Sequence, residues 1–283
     1  MRTPYRRADT DARYVERIRR AVAYIWTHLD RDVPLERLAE IACFSPYHFH
    51  RIYRALLGET VFDTVQRGRL HQAARRLSAS DQPLAQIARR AGYGSLAAFV
   101  RGFGRHYGTT PGRYRAGVAH RLTSERESYM QSVQVREQPA LLLLLRRHRG
   151  SYMNIGEAFD DLLLRAMPVC PDPAPVRAFG LYYDDPDGVP ESALRSAAAF
   201  TWSADWPVPD GLELLTLPAG RYAVARHTGP YSELQAAWRR LYVDWLPQSG
   251  FEPADQPCLE EYLNNPRDTA PMALQTDLMT PLK

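Results

Sequence analysis

Lysine is almost missing from this chain. Of its 36 lysines and arginines only the last residue, Lys283, is a lysine. Cysteine is scarce: Cys43, Cys170 and Cys258 are odd in number and far apart, with neither a disulfide framework nor metal-ligand spacing. Cys43, just before a turn, reads as a small buried residue. Long hydrophobic runs are absent. The stretch Ala140 to Leu145 falls far short of the ~20 residues a membrane span needs. The N-terminus is polar and basic, without a secretory signal, and residues 1–13 read as loose. These absences predict a cytoplasmic chain with no membrane partner, no cofactor and no metal. Negative charge is thin in one half only. Residues 1–121 hold 22 arginines against 10 carboxylates, a net of +12; residues 122–283 hold 14 basic and 22 acidic residues, a net of −8. The basic half suits a polyanion, whose counterions are released on contact. The acidic half suits a cation. At 283 residues and 45% hydrophobic content the chain has material for two folded domains.

Two helix-turn-helix patterns occupy the basic half, Val33 to Gly58 and Gln82 to Gly108. In each, a short helix, a tight turn and a longer Arg- and His-bearing helix follow one another, the layout that braces one helix and sends the next into the DNA major groove. In the first unit Leu35, Leu38, Ala39 and Ala42 form the bracing stripe. Ser45 is positioned to cap the next helix, with Pro46 at its first turn. Phe49, Ile52, Tyr53 and Leu56 are its inner side, leaving Tyr47, His50, Arg51 and Arg54 outward. In the second unit Leu84, Ile87 and Ala88 brace, Gly92 turns, Ser95 caps, and Phe99, Phe103 and Tyr107 face the core. Its outward positions are Leu96, Ala97, Val100, Arg101 and Arg105. The three apolar ones can touch a thymine methyl but cannot make a bidentate base contact. Base specificity is therefore expected mainly from the first helix, with phosphate contacts from the second. A competing account packs Leu96, Ala97 and Val100 against another domain.

The stretches RLHQAARRL (Arg69 to Leu77), QIARRAGYGS (Gln86 to Ser95), FVRGFGRHYG (Phe99 to Gly108) and TPGRYR (Thr110 to Arg115) resemble the DNA-binding domain of the AraC/XylS family of transcription regulators. By that resemblance Ser45, Tyr47, His50 and Arg51, and then Leu96, Ala97, Val100 and Arg101, occupy the base-facing positions. At the latter group the family usually carries polar residues.

After a polar connection at 116–131, the acidic half repeats itself. Val135 to Pro168 aligns on Leu214 to Pro247 at an offset of 79, pairing His148 with His227, Tyr152 with Tyr231 and Phe159 with Trp238. Tyr182 to Leu194 then aligns on Tyr262 to Leu274 at an offset of 80. Two modules of about 80 residues, 133–211 and 212–283, are expected, each reading strand, strand, helix, strand, turn, strand. The helices are expected over Asn154 to Ala166 and Ser232 to Trp245. The predicted fold is thus multi-domain: an all-α part at 1–115, then an α+β part at 132–283 of two duplicated antiparallel-sheet and helix modules with a groove at their seam.

Glu260 stands out on a strand that should be buried, with Gly180 as its counterpart in the first module. Alternation places Tyr262 beside Glu260 and Tyr182 beside Gly180, while Glu261 turns away toward solvent. A buried carboxylate among aromatic rings suits an organic cation. The plain alternative is that Glu260 pairs with Arg177 or Arg221 and serves the fold alone. Tyr152 and Tyr231 could line the groove mouth, and Trp202 and Trp206 could cover it. Phe159, Trp238 and Trp245 read as core.

The motifs RHRGSY, RHTGPY, GLYYDDP and CLEEYLNNP resemble the GyrI-like effector-binding domain, and the whole chain resembles the Rob-type architecture. The resemblance implies that Glu260 faces ligand, although the phenylalanine usual before it is Leu259 here. The expected function is a non-enzymatic, sequence-specific regulator that binds double-stranded promoter DNA and a small cationic or aromatic effector, and acts on RNA polymerase. The rivals are a hydrolase of reactive small molecules, built on Glu260 with Tyr182 or Tyr262, and a protein-interaction module.

Overall fold

The computed structural model describes residues 5–124, 132–173 and 176–283. The basic half is helical: α1 Tyr5–Thr27, α2 Leu35–Ile41, α3 Pro46–Leu57, α4 Val61–Ala79, α5 Leu84–Arg90, α6 Leu96–Tyr107 and α7 Pro111–Ser124. Local chemistry sets the boundaries. Ser45 accepts a hydrogen bond from the His48 amide, and Ser95 one from that of Ala98, so each longer helix starts at a capped serine. Thr60 and Asp63 form a reciprocal capping box at the start of α4. Gly58 and Gly108 end α3 and α6 in the left-handed region. Leu38, Ala39, Phe49 and Tyr53 pack with Ile18, Val22 and Ile25 of α1 in one core. Leu70, Leu77, Ile87, Phe99, Phe103 and Tyr114 build the second. Helix α4 links the two.

The polar connection read at 116–131 is helical through Ser124, and 125–131 lie outside the described residues. Two expectations are corrected. The segment 5–13, expected loose, forms the first turns of α1. Cys43 is exposed, not buried, and takes φ +52° in the turn where the second unit has Gly92 at +76°.

The acidic half is one eight-stranded antiparallel sheet, with strands β1 Gln134–Gln138, β2 Leu141–Arg149, β3 Ala178–Tyr182, β4 Arg195–Thr201, β5 Glu213–Leu217, β6 Gly220–Thr228, β7 Cys258–Tyr262 and β8 Gln275–Pro281. Their order across the sheet is β1-β6-β8-β7-β3-β4-β2-β5. The central pair is β3 with β7, and there Gly180 lies directly opposite Glu260. One face joins Leu143, Phe179, Leu217, Val224, Leu259 and Met279 in a single cluster, around which the sheet curls. The other face carries the helices. Helix α8, Gly156–Ala166, covers Leu144, Ala198 and Phe200 on β2 and β4. Helix α9 starts at Leu234–Arg239 and covers Ala225 and Leu278 on β6 and β8. It continues through a π-helical stretch, Arg240–Trp245, into Leu246–Ser249. The β3–β7 seam runs between α8 and α9, each of which sends one aromatic side chain toward it.

The two halves pack on each other. Leu163 and Leu164 of α8 join the core of the first helical unit, and Met272 joins that of the second. Gly156 is required at its position, because a Cβ there would lie 2.5 Å from the Trp26 ring. Asp160 accepts from Trp26 Nε1 (2.7 Å) and pairs with Arg267 (2.5 Å). Arg267 also reaches Glu59 (3.1 Å), which Arg67 pairs at 2.6 Å. Burial alone would raise Glu59, but Arg67 and Arg267 hold its carboxyl below the usual range.

Candidate functional site

On α3 the outward side chains are set by the capped start of the helix and by the burial of Phe49 and Tyr53. Tyr47 is 65% exposed, and Arg51 and Arg54 are exposed; His50 is half-buried. Arg51 Nη1 donates to Tyr47 Oη at 2.6 Å. On α6, Leu96 is 41% exposed, Ala97, Arg101 and Arg105 are exposed, and Val100 is half-buried. Leu96 and Ala97 thus keep open surface and are not covered by the other half. The face of α3 offers guanidinium and phenol donors. The face of α6 begins with apolar groups and becomes basic only toward its end.

The second constellation lies in the seam. Glu260 is 4% exposed. It accepts from Trp238 Nε1 of α9 (2.7 Å) and from Tyr262 Oη on its own strand (2.7 Å), while Tyr182 Oη sits 2.8 Å from Tyr262 Oη. Burial pushes the carboxyl above its usual range, against these hydrogen bonds. Burial first, and then the Glu260 charge, push both phenols well up, so they remain donors. Among the described residues no cationic side chain pairs with Glu260. Arg177 forms two 2.7 Å bonds with Glu261, and Arg221 donates to the Lys283 carbonyl. Glu261 points to the opposite face as expected. It is buried there, not solvated, beneath the half-exposed Arg177 that pairs with it.

The rings continue outward. The Tyr231 centroid is 5.2 Å from that of Tyr262, and Tyr152 is 4.8 Å from Tyr182, both edge-on. Phe159 of α8 lies 5.3 Å from Tyr262. Trp238 and Phe159, expected as core, do pack against the cores under α9 and α8, and each also reaches the seam. The available signal was their pairing in the repeat alignment. Trp202 and Trp206 meet edge-on at 4.9 Å and pack with α8, without a ring or hydrogen-bond contact to Glu260 among the described residues. Gly180 has no spare room above it. A Cβ would lie 2.8 Å from Tyr262 Oη and 2.9 Å from Tyr182 Oη, so these two side chains fill the place a ligand would take. Chemically the seam is a carboxylate held by the N–H and O–H groups of aromatic side chains, suited to a flat organic cation once the tyrosines move aside. Among the described residues no group of three or more metal-ligating side chains converges, and no helix is long and apolar enough to cross a membrane.

The fold and the seam define a helix-turn-helix protein with an appended sheet of the small-molecule-binding kind. The chain belongs to the family of the GyrI-like small molecule binding domain, whose model matches residues 131–283, and a helix-turn-helix domain model matches residues 38–117. It is 37% identical over 91 residues to a DNA gyrase inhibitor of Yersinia enterocolitica, covering 31% of this chain and 58% of that protein. It is 30% identical over 118 residues to the uncharacterized HTH-type transcriptional regulator YbfP of Bacillus subtilis, covering 42% and 40%. It is 33% identical over 109 residues to the probable transcriptional regulator YgiV of Escherichia coli, covering 38% and 67%. The chain spans about half the length of the first two of these relatives.

Proposed function

We propose that this chain is a transcription regulator that binds promoter DNA through α3 and α6 and a flat, aromatic organic cation in the β3–β7 seam. Residues 1–115 form the DNA-binding part, 116–131 the connection and 132–283 the effector part. The effector part reads as two copies of one module. In support, exchanging β1–β4 for β5–β8 leaves the strand order unchanged on reversal, with the dyad falling between Gly180 and Glu260. Effector binding favours one arrangement of the halves through unequal affinity for the two, and RNA polymerase is the partner on which that arrangement acts.

The observation that carries the ligand reading is Glu260 itself: a carboxylate buried among Trp238, Tyr182 and Tyr262 with no cation of the protein's own paired to it among the described residues. Glu260→Gln keeps the shape and removes the charge. Titration calorimetry should show a bound aromatic cation losing on the order of 1–3 kcal/mol, while a neutral ligand of like shape loses much less. Equal losses would make Glu260 a packing element.

A further inference from the structure

The seam has an outer wall that its own half does not supply. Arg67, His71 and Arg75 recur every four residues along α4, one face of that helix, with Gln72 beside them. This face lies across both mouth loops of the sheet half. At the first loop, Gln72 Nε2 donates to Asn154 Oδ1 (3.5 Å), and Arg75 Nη1 to Ser151 (3.3 Å) and Glu191 (2.9 Å). At the second, the His71 ring stands edge-on to Tyr231, centroids 6.2 Å apart, and Tyr114 of α7 is hydrogen-bonded to Ser232 at 2.9 Å. Tyr231 touches Tyr262, which holds Glu260. One unbroken line of contact therefore runs from α4 to the buried carboxylate. Helices α8 and α9 flank the seam, with Phe159 and Trp238 reaching into it, and α4 lies over the loops at its mouth. Burial, with Arg67, Arg75 and His106 nearby, pushes the His71 ring down to about 4, so it meets Tyr231 uncharged.

We infer that α4, the helix joining the two DNA-reading units, is the lid of the effector site. Resting on the reading of the seam as a ligand site, this adds the regulation: a molecule reaches Glu260 only when α4 lifts from the loops at 151–154 and 231–233. Because α4 shares its core with α6 and joins the core of α3, lifting it moves the DNA-reading helices relative to the sheet half. By linkage, DNA that favours the lifted state must raise effector affinity by the same factor that effector raises DNA affinity.

The test locks the lid in the full chain. Gln72→Cys with Asn154→Cys, in a Cys43→Ser background, targets a disulfide between α4 and the first mouth loop, whose side chains meet at these positions. The first readout needs no ligand: hydrogen exchange of the Trp238 indole N–H, which is bonded to Glu260 and assigned with Trp238→Phe. We expect exchange at least tenfold slower in the oxidised than in the reduced protein, and equal rates would overturn the lid. If the pair does not oxidise or the variant does not fold, Gln72→Ala with Arg75→Ala loosens the lid instead and should speed exchange severalfold; an unchanged rate there overturns the lid equally. The second readout is binding of tetraphenylphosphonium, expected at least tenfold weaker in the oxidised form. Failure of both forms to bind it, with the exchange difference intact, would reject the cationic ligand class and leave the lid standing.

Discussion

Cys43 holds a backbone conformation that suits glycine. Its φ of +52° falls in the left-handed region, which costs an L-residue roughly 1–2 kcal/mol. Glycine removes that strain but adds back about 0.4–1 kcal/mol of unfolded-state freedom. Cys43→Gly should therefore stabilise the protein by about 1 kcal/mol and raise the calorimetric Tm by about 2–4 °C. A lower Tm would mean that the thiol contributes contacts outweighing the strain. The signal was legible in the sequence: Ala42-Cys43-Phe44 stands where the second unit has Ala91-Gly92-Tyr93, yet a lone small residue read more simply as core. At Glu260 the sequence was more informative. Strand alternation is a period of two, and antiparallel pairing puts the two modules' third strands opposite each other, so Gly180, Glu260, Tyr182 and Tyr262 could be placed on one face before any coordinates. Trp238 could not be placed in the same way. On an amphipathic helix an aromatic at the inner stripe reads as core, and nothing local tells a ring that packs from one whose N–H reaches a carboxylate on a neighbouring strand.

At the scale of elements, both reading helices begin at a capping serine and end at a left-handed glycine, so their frames match while their faces do not. Tyr47, Arg51 and Arg54 on α3 can donate to base edges, whereas α6 opens with exposed Leu96 and Ala97. Randomising the operator segment under α3 should cost about 1–3 kcal/mol per mismatch, and the segment under α6 clearly less. Arg51→Ala should relax preference at one base position, while Arg105→Ala should weaken all sequences alike. Binding assays on the two randomised libraries check this, and equal penalties would refute the asymmetry. Periodicity and caps made these elements readable. They did not foretell the π-helical stretch at Arg240–Trp245 or the run of α9 on to Ser249, where Pro247 lacks the amide that a regular turn would use.

For the whole molecule, the charge split between the halves suggested two bodies with separate tasks, and it hid how they are joined. The junction is a buried set of charges contributed from distant parts of the chain: Glu59 and Arg67 from the helical half, Asp160 from α8 and Arg267 from the turn after β7. No periodicity could bring them together, because their meeting depends on how two finished folds dock. Arg267→Ala leaves Asp160 and Glu59 buried without their shared cation. Breaking such a set typically costs about 3–5 kcal/mol, and the lower figure is apt because Trp26 and Arg67 still hold one carboxylate each. Arg75→Ala removes an exposed ion pair at the same junction and should cost under about 1 kcal/mol. Scanning calorimetry separates the cases. The wild-type chain should unfold in one transition, since Leu163, Leu164 and Met272 lie in the cores of the helical half. Arg75→Ala should shift that transition slightly, and Arg267→Ala should lower it and divide it in two as each half melts on its own. A single, little-shifted transition for Arg267→Ala would show that apolar contact alone holds the halves together, and that the buried charges fix the angle of docking without supplying its strength.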